Sequence, residues 1–185
     1  TRTIVPVISQ NDIFPSAGSQ FGLGDITLSL FAVPKRAGAV VWGVGPVLYA
    51  PSATDELLGA EKWGAGPTAI ALSIRGPWTI GALANHVWSF AGEDSRPDIN
   101  SSFLQPFVSY TWPSAWTVSV QSETTYNWET SEWGVPVNVA AAKLVKFGKL
   151  PVSLQAGVGH WLTSPDSGAD GWRFRLQVNL VLPKP

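Results

Sequence analysis

Between Trp116 and Trp128 the side chains alternate without a break. Trp116, Val118, Val120, Ser122, Thr124, Tyr126 and Trp128 fall on one side of an extended chain; Thr117, Ser119, Gln121, Glu123, Thr125 and Asn127 fall on the other. A period of two belongs to a β-strand, and here one face is wholly polar. The length is unusual, because strands in soluble proteins typically run about 5–6 residues. Twelve steps at about 3.3 Å cover roughly 40 Å, which a tilt near 40° reduces to a height of about 30 Å. That matches the hydrocarbon core of a bilayer, with a tryptophan at each edge. The stretch is expected to be a membrane-spanning strand with an interfacial aromatic at both ends.

The rest of the chain repeats this pattern. Ten segments read as strands: Arg2–Ser9, Asp25–Val33, Ala39–Ala50, Trp63–Ile74, Trp78–Ala91, Ser102–Trp112, Trp116–Trp128, Trp133–Phe147, Leu150–Leu162 and Trp172–Leu182. Asp55–Lys62 has the only hint of a helical period, for a turn or two, and Gly59 interrupts it. The links alternate in character. PKRAG (Pro34–Gly38), RGP (Arg75–Pro77), PSA (Pro113–Ala115) and GK (Gly148–Lys149) are tight. Gln10–Gly24, Pro51–Lys62, Gly92–Ser101 and Thr163–Gly171 are long and polar, with a shorter Glu129–Glu132 in the same series. Tight turns at one end and longer loops at the other are the habit of bacterial outer-membrane barrels. The expected fold is therefore all-β, a single antiparallel transmembrane β-barrel over residues 1–185 with ten strands in this chain, both termini periplasmic.

The tryptophans follow the links. Trp63, Trp88, Trp128, Trp133, Trp161 and Trp172 lie next to long links; Trp78, Trp112 and Trp116 lie next to tight ones, and Trp42 is a few residues from one. Two interfacial belts are expected, where an amphipathic indole is most favourable. The competing reading, a soluble β-sandwich or ligand-binding barrel, would place large aromatics mid-strand. Pro46, Pro67, Pro106 and Pro136 sit inside predicted strands, so each is expected to mark a bulge or a widely spaced pair; Gly157 and Gly159 point to bends or close packing.

Composition narrows the classes further. Charged residues make up 14% of the chain, against about 25% in a typical soluble domain. No run of about 20 apolar residues exists to form a transmembrane helix. A net charge of −1 argues against nucleic acid as a partner. Without cysteine there is no disulfide, thiolate metal site or Cys nucleophile.

Four stretches carry a family resemblance: WGVGPVLYAPSATDELLGAEKWGAGPTAIAL (Trp42–Leu72), GPWTIGALANHVWSFAG (Gly76–Gly92), RPDINSSFLQPFVSYTW (Arg96–Trp112) and KLVKFGKLPVSLQAGVGHW (Lys143–Trp161). They resemble a group of bacterial proteins labelled "transporter" or, misleadingly, neuromedin U. That group is similar to the outer-membrane proteins named after the meta-pathway of phenol degradation. The resemblance implies an outer-membrane barrel associated with uptake of hydrophobic compounds. It also implies a signal peptide and a further region before TRTIVPVISQ, which would bring the native strand count to about twelve.

Candidate chemistry is sparse. His86 and His160 are the only histidines. They could form a metal or acid/base pair with Asp25, Glu93 or Asp98, or simply sit at the interface beside girdle tryptophans. No HExxH, GxSxG or phosphate-binding glycine loop is present, so no enzyme or cofactor is expected. Gln105, Gln121, Glu123, Asn127, Asn138, Arg173, Arg175, Gln177 and Asn179 fall on predicted lumen-facing positions, with Asp25 and Lys146. They would line a narrow path or pair across the lumen as a plug, since a barrel of 8 to 10 strands has little free interior. The acidic loops Asp55–Lys62 and Gly92–Asp98 would bind Ca²⁺ or remain solvated. Outer-membrane lipid and lipopolysaccharide are the expected partners; the resemblance, rather than any residue, implies passive passage of small, hydrophobic or aromatic molecules, with a plugged scaffold as alternative.

Overall fold

A computed structural model describes residues 1–11, 18–35, 38–148, 150–166 and 168–180. Its described residues contain no helix. The strands are β1 (Arg2–Ile4), β2 (Val7–Asn11), β3 (Ser19–Leu23), β4 (Ile26–Ser29), β5 (Val41–Ala50), β6 (Lys62–Arg75), β7 (Trp78–Gly92), β8 (Asn100–Thr111), β9 (Trp116–Ser122), β10 (Thr124–Asn127), β11 (Glu132–Phe147), β12 (Leu150–Thr163) and β13 (Trp172–Leu180). Eleven of them form one antiparallel sheet in the order β1-β4-β5-β6-β7-β8-β10-β11-β12-β13, with β9 also between β8 and β11. With β9 and β10 counted as one strand, every ladder among the described residues joins strands that follow one another along the chain, apart from the β2–β3 insertion. Among the described residues no ladder joins β1 to β13.

The strand predicted over Trp116–Trp128 is present as β9 and β10, parted only at Glu123. Both halves keep one register against β8, Phe107 opposite Gln121 and Leu104 opposite Thr124. The link predicted over Gln10–Gly24 holds β3, which pairs with β2 and carries the first hairpin beyond β1 and β4. The spacing of polar residues there hid a strand, because a two-stranded ribbon standing clear of the sheet has no single apolar face to impose alternation. The prolines behave in different ways. Pro46 and Pro67 lie opposite each other, so each directs its missing N–H away from the other strand. The β6–β7 ladder skips Gly66 and Pro67, and its register shifts at Trp63/Gly64. Pro136 sits at a register shift between β11 and β12, whereas Pro106 pairs in register with Ala82.

The two faces of the sheet differ chemically. On one face Ile80, Val108, Val120, Val139, Val158 and Phe174 form a single row across six strands. All but Val108 are exposed, Phe174 at 84%. The other face is covered: Val47, Leu83, Val87 and Pro136 are buried there beside Ser29, Thr68 and Asn138. The sheet curls about this inner face, bringing Arg2 of β1 within electrostatic reach of Glu123 and of Arg175 on β13. Tight turns close one end of the sheet. Gly76 makes its turn at φ 58°, a conformation glycine enters without a steric cost. The loops 51–61, 93–99 and 128–131 lie at the opposite end.

Candidate functional site

The inner face carries one concentrated polar cluster. Arg173 and Arg175 are alternate residues of β13 and so share a face, opposite Gly159 and Gly157 of β12. With no side chains at those two glycines, both arginines lie flat across β12 toward Glu123. A Cβ on Gly159 would run into Asn138 Oδ1 and come within 3.0 Å of Arg173 Cγ. Glu123 holds the two guanidinium groups together. Arg173 Nη2 donates to Oε2 at 2.6 Å, and Arg175 donates from Nη1 to Oε1 at 2.8 Å and from Nη2 to Oε2 at 2.7 Å. The second pair is bidentate, the geometry a planar fork makes with a carboxylate. All three side chains are mostly covered.

Around the cluster the inner face stays polar. Gln121 lies beside Asn138, and Gln105 Nε2 donates to Gln121 Oε1 at 3.1 Å. Arg2 joins from β1, whose Arg2 pairs with the buried Ser29. Trp161, expected in a belt at the rim, instead turns inward and carries the Arg173 guanidinium 5.6 Å from its ring centre. Trp161 keeps the regular register, opposite Pro136, and simple alternation along β12 puts it on the same face as Gly157 and Gly159. Asn127 shares the inner parity, but its Oδ1 accepts from Glu129 N at 2.9 Å and closes the β10–β11 turn. Gln177 is exposed on the inner side of β13, and the side chain of Asn179 lies outside those described.

The loop end is tied down by two anchors that the sequence did not mark. Asp25, only 4% exposed, accepts from Ser52 N at 3.0 Å, Ala53 N at 3.0 Å and Ala60 N at 2.6 Å. Arg96 grips the same loop from the other side, donating to Glu56 O and, at 2.6 Å, to Gly59 O, with Nε 3.1 Å from Glu61 Oε2. The loop 51–61 is thus held on both sides, and its own Leu58 is buried. Lys62 Nζ reaches Asp98 Oδ1 at 3.2 Å, and Ser89 Oγ donates to the same oxygen at 3.0 Å. The hydrogen bonds from Lys62 and Ser89 hold the Asp98 carboxyl below the ordinary range. Glu61 and Asp98, two of the acids expected either to bind Ca²⁺ or to stay solvated, are engaged by cations of the chain itself.

The outer face ends in aromatic clusters. Toward the tight turns, Tyr110 packs edge-on against Trp78 at 5.0 Å and Trp112 at 4.7 Å, and Lys143 lies 5.3 Å over Trp116. Toward the loops, Tyr126 meets Trp128 at 4.8 Å and Trp133 at 4.6 Å. His86 stacks 4.0 Å from Trp88, and His160 lies 4.9 Å from Trp172. The histidines sit on β7 and β12, several strands apart. Trp63 is also exposed at this end. Polar groups on this face satisfy one another: Ser122 Oγ bonds Thr124 Oγ1 at 2.8 Å and Pro136 O at 2.7 Å. Ser102 Oγ bonds His86 Nδ1 at 2.8 Å and accepts from Trp128 Nε1 at 2.9 Å, while His86 Nε2 is buried without a partner. Small residues Ala69 and Ala84 leave an open depression of about 890 Å³ between Val44, Leu104 and this cluster.

No family model, curated protein or solved structure matches the chain.

Proposed function

We propose that this chain is a transmembrane β-barrel of a bacterial outer membrane that passes small solutes along its polar inner face. The observation that carries this is the inversion of the usual burial: exposed valines, isoleucine and phenylalanine form rows on the outer face, while arginine, glutamate, glutamine and asparagine are covered within. Water would penalise that outer face, and lipid would not. The aromatic clusters at both ends of the outer face support two interfacial belts. The pairing of Ser122 with Thr124 on the outer face is what hydroxyls require where no water is at hand. Lipid and lipopolysaccharide are then the partners of the outer face, and the tight turns and both termini lie on the periplasmic side.

A second reading has its own support. The loop 51–61, fastened by Asp25 and Arg96, caps one end, and the Glu123–Arg173–Arg175 cluster spans the inner face. A closed, structural barrel would look the same. Two measurements separate the readings. A membrane barrel purifies only in detergent and shows heat-modifiable gel mobility; a monodisperse monomer without detergent defeats the proposal. Liposome swelling with sugars, charged solutes and aromatic solutes then distinguishes passage from scaffold.

A further inference from the structure

The inner-face cluster is unbalanced. Arg2, Arg173 and Arg175 face Glu123, three guanidinium groups against one carboxylate, an excess of two positive charges. Elsewhere on this face the described charges are matched or peripheral: Lys62 is paired with Asp98, Asp25 is taken up by backbone N–H groups, and Lys146 is exposed at the turn end. The cluster already grips a carboxylate, with three N–H···O bonds of 2.6 to 2.8 Å on the two oxygens of Glu123. The Arg173 guanidinium lies 5.6 Å from the centre of the Trp161 ring. The void along this wall is about 10 Å³, which holds at most one water molecule. Nη2 of Arg173 and both terminal nitrogens of Arg175 are taken by Glu123.

We propose that Arg173 and Arg175 form a binding site for small monocarboxylates, in which Glu123 is a tethered occupant that an incoming carboxylate replaces. This names the solute class of the passage proposed above and, for transport, rests on it. A carboxylate matches because a guanidinium fork binds one bidentately and three cations leave charge uncompensated when only one acid is present. An aromatic carboxylate fits better than an aliphatic one, since the Trp161 ring offers it a face beside the cation. Displacement rather than addition sets the affinity: the solute competes with a side chain that never diffuses away, so binding is weak and release is quick. A passage site needs both properties.

The test uses the full chain in detergent and in planar bilayers, with benzoate as probe and benzamide as its neutral counterpart. In bilayers under a potassium chloride gradient, the reversal potential is expected on the anion side, benzoate is expected to block the chloride current saturably, and benzamide is expected to have no effect. Arg173→Gln/Arg175→Gln should abolish the block, and Glu123→Gln should strengthen benzoate binding about tenfold by removing the competitor. A conducting channel with cation selectivity, or with equal response to benzoate and benzamide, overturns the site. If no conductance is found, the passage reading fails separately, and calorimetric titration of the detergent-solubilised protein decides the site. Benzoate binding that Glu123→Gln tightens upholds it; absence of binding in both proteins overturns it. Glu123→Gln also serves where the double arginine variant does not fold.

Discussion

Glu123 is the residue on which the inner face turns. It interrupts the strand ladder between β9 and β10, and it gathers two arginines from a strand far along the chain. Replacing it with alanine leaves two guanidinium groups without their acceptor. The loss is expected to be about 1–3 kcal/mol, the cost of covered polar groups left unsatisfied, and urea unfolding of vesicle-inserted protein measures it. An unchanged midpoint would mean that water or neighbouring carbonyls take over. Gly159 is tested from the opposite side. In Gly159→Val the new Cβ meets Asn138 and Arg173, so the arginine is pushed off its course. Destabilisation of about 1–3 kcal/mol is expected from overpacking, and less than 0.5 kcal/mol would show that the wall yields. The alternation of Arg173 and Arg175 was legible in the sequence, as was their inward parity. Their partner was not, because it depends on the register of three ladders, and Arg2 stood in a segment whose facing had no second clue. Trp161 misled because its position at a strand end suggested the belt, whereas its parity with Gly157 and Gly159 on β12 faces it inward.

At the scale of elements, the loop ends carry the sharpest expectations. Asp25 accepts three backbone N–H groups of the loop 51–60. Asp25→Ala should release that loop, and a glutamate-specific protease should cut after Glu56 or Glu61 on the order of tenfold faster. Equal cleavage rates would make the anchor irrelevant to loop order. The Asp98 tie responds to acid. Its carboxyl is held below the ordinary value of 3.8 by the hydrogen bonds from Lys62 and Ser89, so the folded state favours the charged form. The contribution is fully present above 3.8 and is lost as pH falls through the lowered folded value. Amide exchange at Ile99, whose N–H bonds Ser89 Oγ, should therefore quicken only in strong acid, and Asp98→Asn should remove that dependence. The strands from β5 onward were read with ends correct to within a few residues, since tryptophans and tight turns mark them. The β3 strand escaped because its pairing partner, not a buried face, defines it.

For the molecule as a whole, the row from Ile80 to Phe174 decides between membrane and water. Val139 lies in the middle of that row, 45% exposed. Val139→Arg should weaken folding into vesicles by about 2–4 kcal/mol if lipid covers this face near the bilayer midplane. On a soluble surface the same change would stay within about 0.5 kcal/mol. The small effect would sink the membrane reading. Antiparallel pairing was legible from alternation and link length, because the pairs are formed by neighbours in sequence; the count was not, since ten strands were expected where thirteen are described, and Arg2–Ser9 is broken into β1 and β2, which join different sheets.

The order of the sheet also governs how it is assembled. Because its ladders join successive strands, most pairings require the closure of only a short loop, which costs little entropy. Contact order stays low for a β protein, and hairpins can be added one after another from any starting point. The approach of Arg2 to Glu123 and Arg175 is the exception: it brings together the two ends of the chain and must wait until the intervening strands have curled. The charge cluster would then record the last event of folding, and removing it should leave the rate at which the strands form unchanged while hastening the rate at which the finished sheet opens.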